Sequence, residues 1–265
     1  MSSRWGEFLF ELLAEPVTRG MCVDDPAMTV RRRELSKTKR GLHLSYLAWY
    51  RELEEIHSLA PAGARIELGS GGGFMDEHIP GLIKTDVLLL PHLDVLCRAE
   101  SLPFSDASIG AIFMVNVLHH MNEAGRFLAE VSRVLRPGGY VAMVEPFTTP
   151  FSRFLYGHLH PEPFEPGATE WDLEPSGPLS GGNGALPWII FVRDRELFHA
   201  RFPHLRILKV RPHTALTHLF SGGVMIRSLL PGLFFPTIHR IESALGPLWM
   251  RKMALFATIV LQREG

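Results

Sequence analysis

The chain of 265 residues is long enough for one large domain or for a domain with an appended cap. Hydrophobic residues make up 46% of it and charged residues 21%, which is ordinary for a globular protein and excludes a largely disordered chain. The formal net charge of -1 argues against nucleic acid as the main partner, because neutralising phosphates usually requires a basic surface.

Three features of the sequence bear on cellular location. Residues 1–11 mix charged with apolar residues, which disfavours a signal peptide. No uncharged stretch reaches the roughly 18 to 20 residues that span a bilayer. The cysteines, Cys22 and Cys97, lie far apart without a metal-binding spacing, as fits a reducing compartment. We therefore expect a cytoplasmic protein.

The N-terminal part of the chain has helical patterns, and Trp5–Glu15 and Val30–Leu59 are predicted as helices. Apolar residues in the second helix recur at helical spacing: Leu42, Tyr46, Trp49, Leu53 and Ile56. The basic run Arg31–Arg33, with Lys37, Lys39 and Arg40 after it, is interpreted as the solvated face of a helix, with anionic lipid or a substrate phosphate as the alternative contact. Pro61-Ala62-Gly63 ends the helix, so residues 1–62 are predicted to form a helical cap.

From Arg65 onward, short apolar runs alternate with turns and helical stretches. The predicted strands are Arg65–Leu68, Leu82–Thr85, Asp94–Leu96, Ala111–Val115, Tyr140–Glu145, Leu205–Val210 and Met253–Gln262, and Arg193–Arg201 is predicted as a helix. This alternation is typical of an α/β fold with a Rossmann-like, mostly parallel sheet and helices on both faces. Residues 63–265 are predicted to form that domain, with lid segments inserted at 147–190 and 214–250.

A glycine-rich turn follows the first predicted strand, in Glu67-Leu68-Gly69-Ser70-Gly71-Gly72-Gly73. It lies at the carboxyl edge of the sheet, where open α/β folds bind ligands. Phe74 stands where a dinucleotide fingerprint needs its third glycine, and the Glu67 carboxylate repels pyrophosphate but suits an ammonium group. These residues disfavour a nicotinamide oxidoreductase. Asp86, at the end of the second strand, can accept hydrogen bonds from both hydroxyls of a ribose.

Several segments in order resemble the motifs of one family. They are the glycine-rich turn, Asp86, the segment Ala99–Phe104 that would pass the adenine, the loop Val115–Met121 and the turn Arg133–Tyr140. Together they are similar to class I S-adenosylmethionine-dependent methyltransferases of the small-molecule type, over about residues 65 to 146. The resemblance implies the Rossmann-like fold and S-adenosylmethionine as the cofactor.

The resemblance also implies roles for individual residues. Glu67 and the backbone of Gly69, Ser70 and Gly71 would hold the methionine part of the cofactor, Asp86 the ribose, Val87 the adenine face and Ala99 the adenine edge, with Asn116 near the methionine amino group. Arg98 departs from the family, which often has aspartate there to accept a hydrogen bond from adenine. Because a guanidinium only donates, Arg98 is expected to stack on the adenine or to turn outward.

Two residues are candidates for proton transfer. His119 follows the fourth strand, where a neutral imidazole could accept a proton from a hydroxyl; the alternative is a cap of the next helix. Glu145, at the end of the fifth strand, is a second pocket-facing acid, or else it accepts hydrogen bonds from a loop backbone. His158 and His160 lie in a proline-broken segment without a helix-based ligand pattern, so no metal is expected.

The apolar segment Thr214–Met250 is predicted to form the roof of an acceptor pocket. Packing against the N-terminal helices and a peripheral membrane contact are the alternatives. The sequence thus predicts a methyltransferase that acts on a small, lipophilic or aromatic acceptor. The alternative function is that of a non-catalytic, S-adenosylmethionine-binding scaffold protein that retains the fold.

Overall fold

A seven-stranded sheet forms the centre of the structure, a computed structural model that describes residues 12–160, 162–174 and 177–265. The strands are β1 (Ala64–Leu68), β2 (Leu82–Asp86), β3 (Val95–Leu96), β4 (Ile109–Val115), β5 (Leu135–Pro146), β6 (Leu205–His213) and β7 (Phe256–Arg263). They are ordered β3-β2-β1-β4-β5-β7-β6. Strands β1 to β5 run parallel, and β7 is antiparallel to both of its neighbours. The predicted fold class is confirmed.

Helices surround this sheet. They are α1 (Pro26–Thr38), α2 (Arg40–Leu59), α3 (Ala124–Val134), α4 (Pro150–Leu159), α5 (Arg195–Arg201), α6 (Leu216–Ser221), α7 (Phe235–Ala244) and α8 (Pro247–Met253), with short helical turns at Met75–Glu77, Leu118–His120, Leu186–Trp188, Ile189–Arg193 and Gly232–Phe234. The predicted helix Trp5–Glu15 lies largely outside the described residues. Within the described part of the chain, every helix is too short or too polar to cross a bilayer.

Both faces of the sheet are covered by helices. Side chains alternate along β4, so that Ile112 and Met114 pack in one core cluster with α3, whereas Ala111 and Phe113 pack in the other with α2. Because both faces are buried, the strand is a continuous apolar run instead of an alternating one. Because β1, β2 and β4 run parallel, their carboxyl ends share one edge of the sheet, and this edge carries the glycine-rich turn.

The prediction of a single helix over Val30–Leu59 is wrong, because the structure has two helices that part at Lys39. Lys39 has an extended backbone, with φ -79° and ψ 103°. Its buried ammonium group pairs with Glu15 at 3.0 Å and donates to the carbonyl groups of Gly223, at 2.9 Å, and Ile226. These acceptors stabilise a cation that would otherwise be buried without partners. They also attach the N-terminal helices to segment 214–250.

Segment 214–250 packs against α2, as one of the alternatives for this segment predicts. Trp49 of α2 donates its indole N–H to Thr214 Oγ1 at 3.0 Å. The buried carboxylate of Glu242 on α7 accepts the backbone N–H groups of Ala215 and Leu216 at 2.5 and 2.6 Å. These N–H groups at the start of α6 would otherwise lack an intrahelical partner. The division into a cap over 1–62 and a domain over 63–265 stays a prediction.

Candidate functional site

A cavity of about 590 Å³ lies at the carboxyl ends of β1, β2 and β4. The predicted site residues that line it are Glu67, Gly69, Gly71, Asp86, Val87, Arg98, Ala99, Asn116 and His119. Ser70 and Glu145 are buried and lie outside this lining. The sequence thus identifies residues that the fold brings together around one cavity, whose volume is typical of a small-molecule site.

The two segments predicted as lids contribute apolar side chains to the lining of the cavity. Segment 147–190 contributes Leu155, Leu159 and Phe164, and segment 214–250 contributes residues between His218 and Leu229. The second segment therefore covers the cavity with one stretch while its helices pack against α2. Residues 231–250 do not reach the lining.

The glycine-rich turn is shaped by close neighbours. Gly69 has φ +64°, and a Cβ atom there would lie 2.5 Å from Val117 Cγ2. A Cβ atom on Gly71 would lie 2.5 Å from Thr29 Cγ2. Side chains at either position would displace these neighbours and fill the space along the turn, which is why glycine is required here. The Gly71 N–H donates to Asp86 Oδ2 at 3.0 Å and so joins the turn to the end of β2.

Glu67 and Asn116 present acceptors without partners. Glu67 is 2% exposed, and burial, reinforced by the charge of Asp76, raises its pKa to about 8. Among the described residues, neither Glu67 Oε2 nor Asn116 Oδ1 has a hydrogen-bond partner, although both atoms are buried. Buried acceptors of this kind normally have donors. A ligand ammonium group would supply them.

Asp86 is held in one orientation. Its Oδ1 accepts the Leu88 N–H at 2.9 Å, and its Oδ2 accepts the Gly71 N–H. Burial raises its pKa despite these hydrogen bonds. Each carboxylate oxygen can accept a second hydrogen bond, so Asp86 can also bind the two hydroxyls of a ribose. Arg98 turns outward: its side chain is 58% exposed, and its Nε lies 3.7 Å from the Glu100 carboxylate.

His119 and Glu145 form a buried pair. His119 Nδ1 lies 2.7 Å from Glu145 Oε2, and Glu145 Oε1 accepts the N–H groups of Val117 and Leu118 at 2.8 and 2.9 Å. Since a carboxylate only accepts, His119 Nδ1 carries the proton and Nε2 is left as the acceptor nitrogen of a neutral ring. Burial lowers the pKa of His119, but the hydrogen bond and charge of Glu145, aided by Glu162, outweigh burial and raise it overall.

His120 and Glu162 lie close to this pair. His120 donates from Nδ1 to the Gly181 carbonyl at 2.7 Å, and burial together with the charge of His119 lowers its pKa to about 4. His119 Nε2 lies 3.9 Å from the Glu162 carboxylate. Potential ligand atoms of His119, His120 and Glu162 lie within 4.8 Å of one another, close enough to hold a metal ion. The expectation of a metal-free site stays a prediction.

Sequence analysis misses several residues of the lining, of which Arg32 on α1 is the clearest. The prediction of a solvated basic face is right for Arg31, whose side chain is 50% exposed, and wrong for Arg33, which is 16% exposed and pairs with Asp76. Arg32 lines the cavity. A signal was available, because Arg32 follows the buried Met28 by four residues and therefore lies on the same face of the helix.

Parts of the chain are similar to known methyltransferases. Residues 66–143 match the family model described as "Methyltransferase domain". A phthiotriol/phenolphthiotriol dimycocerosates methyltransferase of Mycobacterium ulcerans is 53% identical over 53 residues, which is 20% of each chain. An uncharacterized methyltransferase of Mycobacterium bovis is 33% identical over 107 residues, 34% of this chain and 44% of the relative. A solved S-adenosylmethionine-dependent methyltransferase from Thermotoga maritima has 15% identity and a TM-score of 0.49, covering 88% of this chain and 99% of that one.

Residues 66–143 match the model of this methyltransferase family, and the resemblance stated from the sequence is confirmed. With it the cofactor, S-adenosylmethionine, is confirmed. Matches to the first relatives span about a fifth of their length. The residues of the cavity fit the cofactor: Glu67 and Asn116 offer unused acceptors for its ammonium group, as far as the described residues go, and Asp86 suits its ribose.

We expect Glu145→Gln to lower the pKa of His119. Glutamine keeps an oxygen for the Val117 and Leu118 N–H groups but removes the charge that stabilises the imidazolium. NMR titration of ring-labelled histidine should place the wild-type His119 pKa above the ordinary 6.5 and the variant clearly below the wild type. The exposed Glu196→Gln variant serves as the control and should match wild type. An equal His119 pKa in wild type and Glu145→Gln would contradict the pairing.

Proposed function

We propose that the protein methylates a hydroxyl group of a small, lipophilic or aromatic acceptor. The observation that carries this proposal is that one cavity joins two different sets of groups. Unused acceptors of the described residues surround the glycine-rich turn, and the His119–Glu145 pair lies at the end of the neighbouring strand. The first set suits the cofactor, and the second suits an acceptor that must lose a proton.

Residues of the turn and of β2 would hold the cofactor. Glu67 and Asn116 would bind its ammonium group, and Asp86 its ribose. Val87 and Ala99, which line the same cavity, would contact the adenine. S-adenosylmethionine, when bound, supplies an electrophilic methyl group on a sulfonium sulfur.

His119 would act as the base. His119 lines the cavity, and its Nε2 would take the hydroxyl proton as the acceptor oxygen gains the methyl group. Glu145 has no contact with the cavity and therefore acts through His119, whose ring it orients and whose charged form it stabilises.

The apolar lining supports a lipophilic acceptor. Leu155, Leu159 and Phe164 lie on one side of the cavity, and Leu219 and Ile226 on another. Pockets lined in this way bind apolar molecules and use a few polar groups to orient them. The names of the relatives give phthiotriol and phenolphthiotriol dimycocerosates as the acceptors of their methyl groups. We extend this class of acceptor to the present chain.

Cofactor binding tests the first half of the proposal. In calorimetric titration, S-adenosylhomocysteine should bind the wild type and NAD should not. Asp86→Ala should weaken binding by roughly 1.5 to 3 kcal/mol, or about 10- to 150-fold, the range for hydrogen bonds to a charged group. The exposed Asp106→Ala variant is the control and should bind normally. Unchanged affinity in Asp86→Ala would remove Asp86 from the ribose site.

The ionisation of Glu67 should make cofactor affinity depend on pH. The carboxyl must be ionised to bind an ammonium group, and its pKa in the free protein is about 8. Affinity for S-adenosylhomocysteine should therefore fall by up to about tenfold for each pH unit below that value, with release of a proton on binding. Calorimetry at pH 6, 7 and 8, in buffers of different ionisation enthalpy, measures both. Glu67→Gln should bind weakly with a flat pH profile; a wild type with a flat profile would contradict this role.

The role of His119 is tested by turnover. With methyl-labelled cofactor and a panel of apolar alcohols and phenols, His119→Ala should reduce turnover about 100-fold or more while its affinity for S-adenosylhomocysteine stays unchanged. His158→Ala, at an exposed histidine bonded to the Phe154 carbonyl, is the matched control. Full turnover in His119→Ala would leave this histidine a structural residue.

Two further outcomes of the same assay separate the alternatives. Turnover should survive dialysis against a chelator; loss that is restored by a divalent cation would assign His119, His120 and Glu162 to a metal instead. Tight binding of the cofactor product without methyl transfer to any member of the panel would favour the scaffold protein.

A further inference from the structure

Helix α1 brings two polar side chains against the glycine-rich turn. Thr29 Cγ2 lies 2.5 Å from the position that a Cβ atom on Gly71 would take, and Arg32 Cβ lies 3.5 Å from the corresponding position on Gly72. Both Thr29 and Arg32 line the cavity. The turn therefore lies between β1, which carries Glu67, and a helix that offers a guanidinium and a hydroxyl group.

Arg32 differs from the arginines on either side of it. Arg31 pairs with Glu34 at 2.8 Å, and Arg33 pairs with Asp76 at 2.9 Å. Among the described residues, no carboxylate oxygen lies within 4.0 Å of the Arg32 guanidinium. Within the described part of the chain, its Nη2 donates only to the sulfur of Met225, at 3.5 Å, and sulfur is a weak acceptor.

One donor of Arg32, its Nε–H, and the hydroxyl group of Thr29 are buried without partners among the described residues. Arg32 Nε and Thr29 Oγ1 are both inaccessible and unpaired within the described chain. Burial lowers the pKa of the Arg32 guanidinium even though the charge of Glu162 opposes the change. Because a guanidinium stays charged in proteins, an unpaired one in a cavity is costly unless an anion from outside the chain completes the site.

The two sides of the turn are chemically complementary. Glu67 and Asn116 present acceptors that suit an ammonium group, and Arg32 and Thr29 present donors that suit a carboxylate. An α-amino acid carries both of these groups on a single carbon atom. We propose that Arg32 and Thr29 bind the α-carboxylate of the methionine part of the cofactor. This inference rests on the proposed function, since it concerns the same ligand.

The test compares two ligands that differ only in the carboxylate. Calorimetry uses S-adenosylhomocysteine and its decarboxylated analogue, in which the amine remains but the carboxyl group is absent. Arg32→Met should weaken S-adenosylhomocysteine roughly 10- to 150-fold, as expected for a charged hydrogen-bonded pair, and should leave the affinity of the analogue unchanged. Thr29→Val should weaken the first ligand by about tenfold or less, whereas Thr29→Ser should retain wild-type affinity.

Controls separate this inference from effects on folding and from failure of the proposed function. Arg31→Met, at the exposed neighbouring position, should bind both ligands as the wild type does. Equal weakening of both ligands by Arg32→Met, or no weakening of either, would overturn the assignment to the carboxylate. A wild type that fails to bind S-adenosylhomocysteine would overturn the proposed function and this inference with it. If the wild type binds S-adenosylhomocysteine and Arg32→Met binds it equally well, this inference is overturned while the proposed function stands.

Discussion

A fully buried carboxylate joins the strands, the loop and the histidine on which the proposed chemistry depends. Glu145 ends β5, and its two oxygens accept N–H groups from Val117, Leu118 and His119, all of which follow β4. A buried charge is stable only when such donors satisfy it. The hydrogen bonds that make Glu145 tolerable therefore also fix the path of the loop and the orientation of the imidazole. Loss of the carboxylate would release both at once.

Other polar groups at this edge of the sheet are not satisfied in the same way. The raised pKa of Glu67 means that folding favours its protonated form. Its contribution to stability is thus present at pH values below the ordinary carboxyl pKa and is lost as the pH rises through about 8. The apolar clusters on both faces of the sheet hold the strands together despite this cost. A ligand cation bound to Glu67 would stabilise the ionised carboxylate, whereas folding alone favours the protonated form. Ligand binding and folding therefore require opposite protonation states of Glu67.

The sequence predicts what local pattern decides and misses what distant contacts decide. The strands and the glycine-rich turn are predicted because apolar runs and glycines carry their structure locally. The break at Lys39 is not, since its ammonium binds a carbonyl 184 residues away in sequence. His119 and Glu145 are each predicted as candidates, but their pairing is not, because it depends on how β4 lies beside β5. Arg32 is missed because arginine side chains on helices are usually exposed, and only the packing of α1 against the glycine-rich turn shows that this one lines the cavity.

Helix α1 connects parts of the cavity that the sequence keeps far apart. Just before it, Asp24 accepts the N–H groups of Leu179 and Ser180 from one inserted segment at 2.7 and 3.0 Å. Just after it, Lys39 donates to carbonyl groups of the other. Between these two anchors, Thr29 and Arg32 face the glycine-rich turn. Both segments, which would cover the acceptor in the proposed function, are therefore attached to the helix that would contact the cofactor. A shift of α1 away from the turn would have to break hydrogen bonds to both of them.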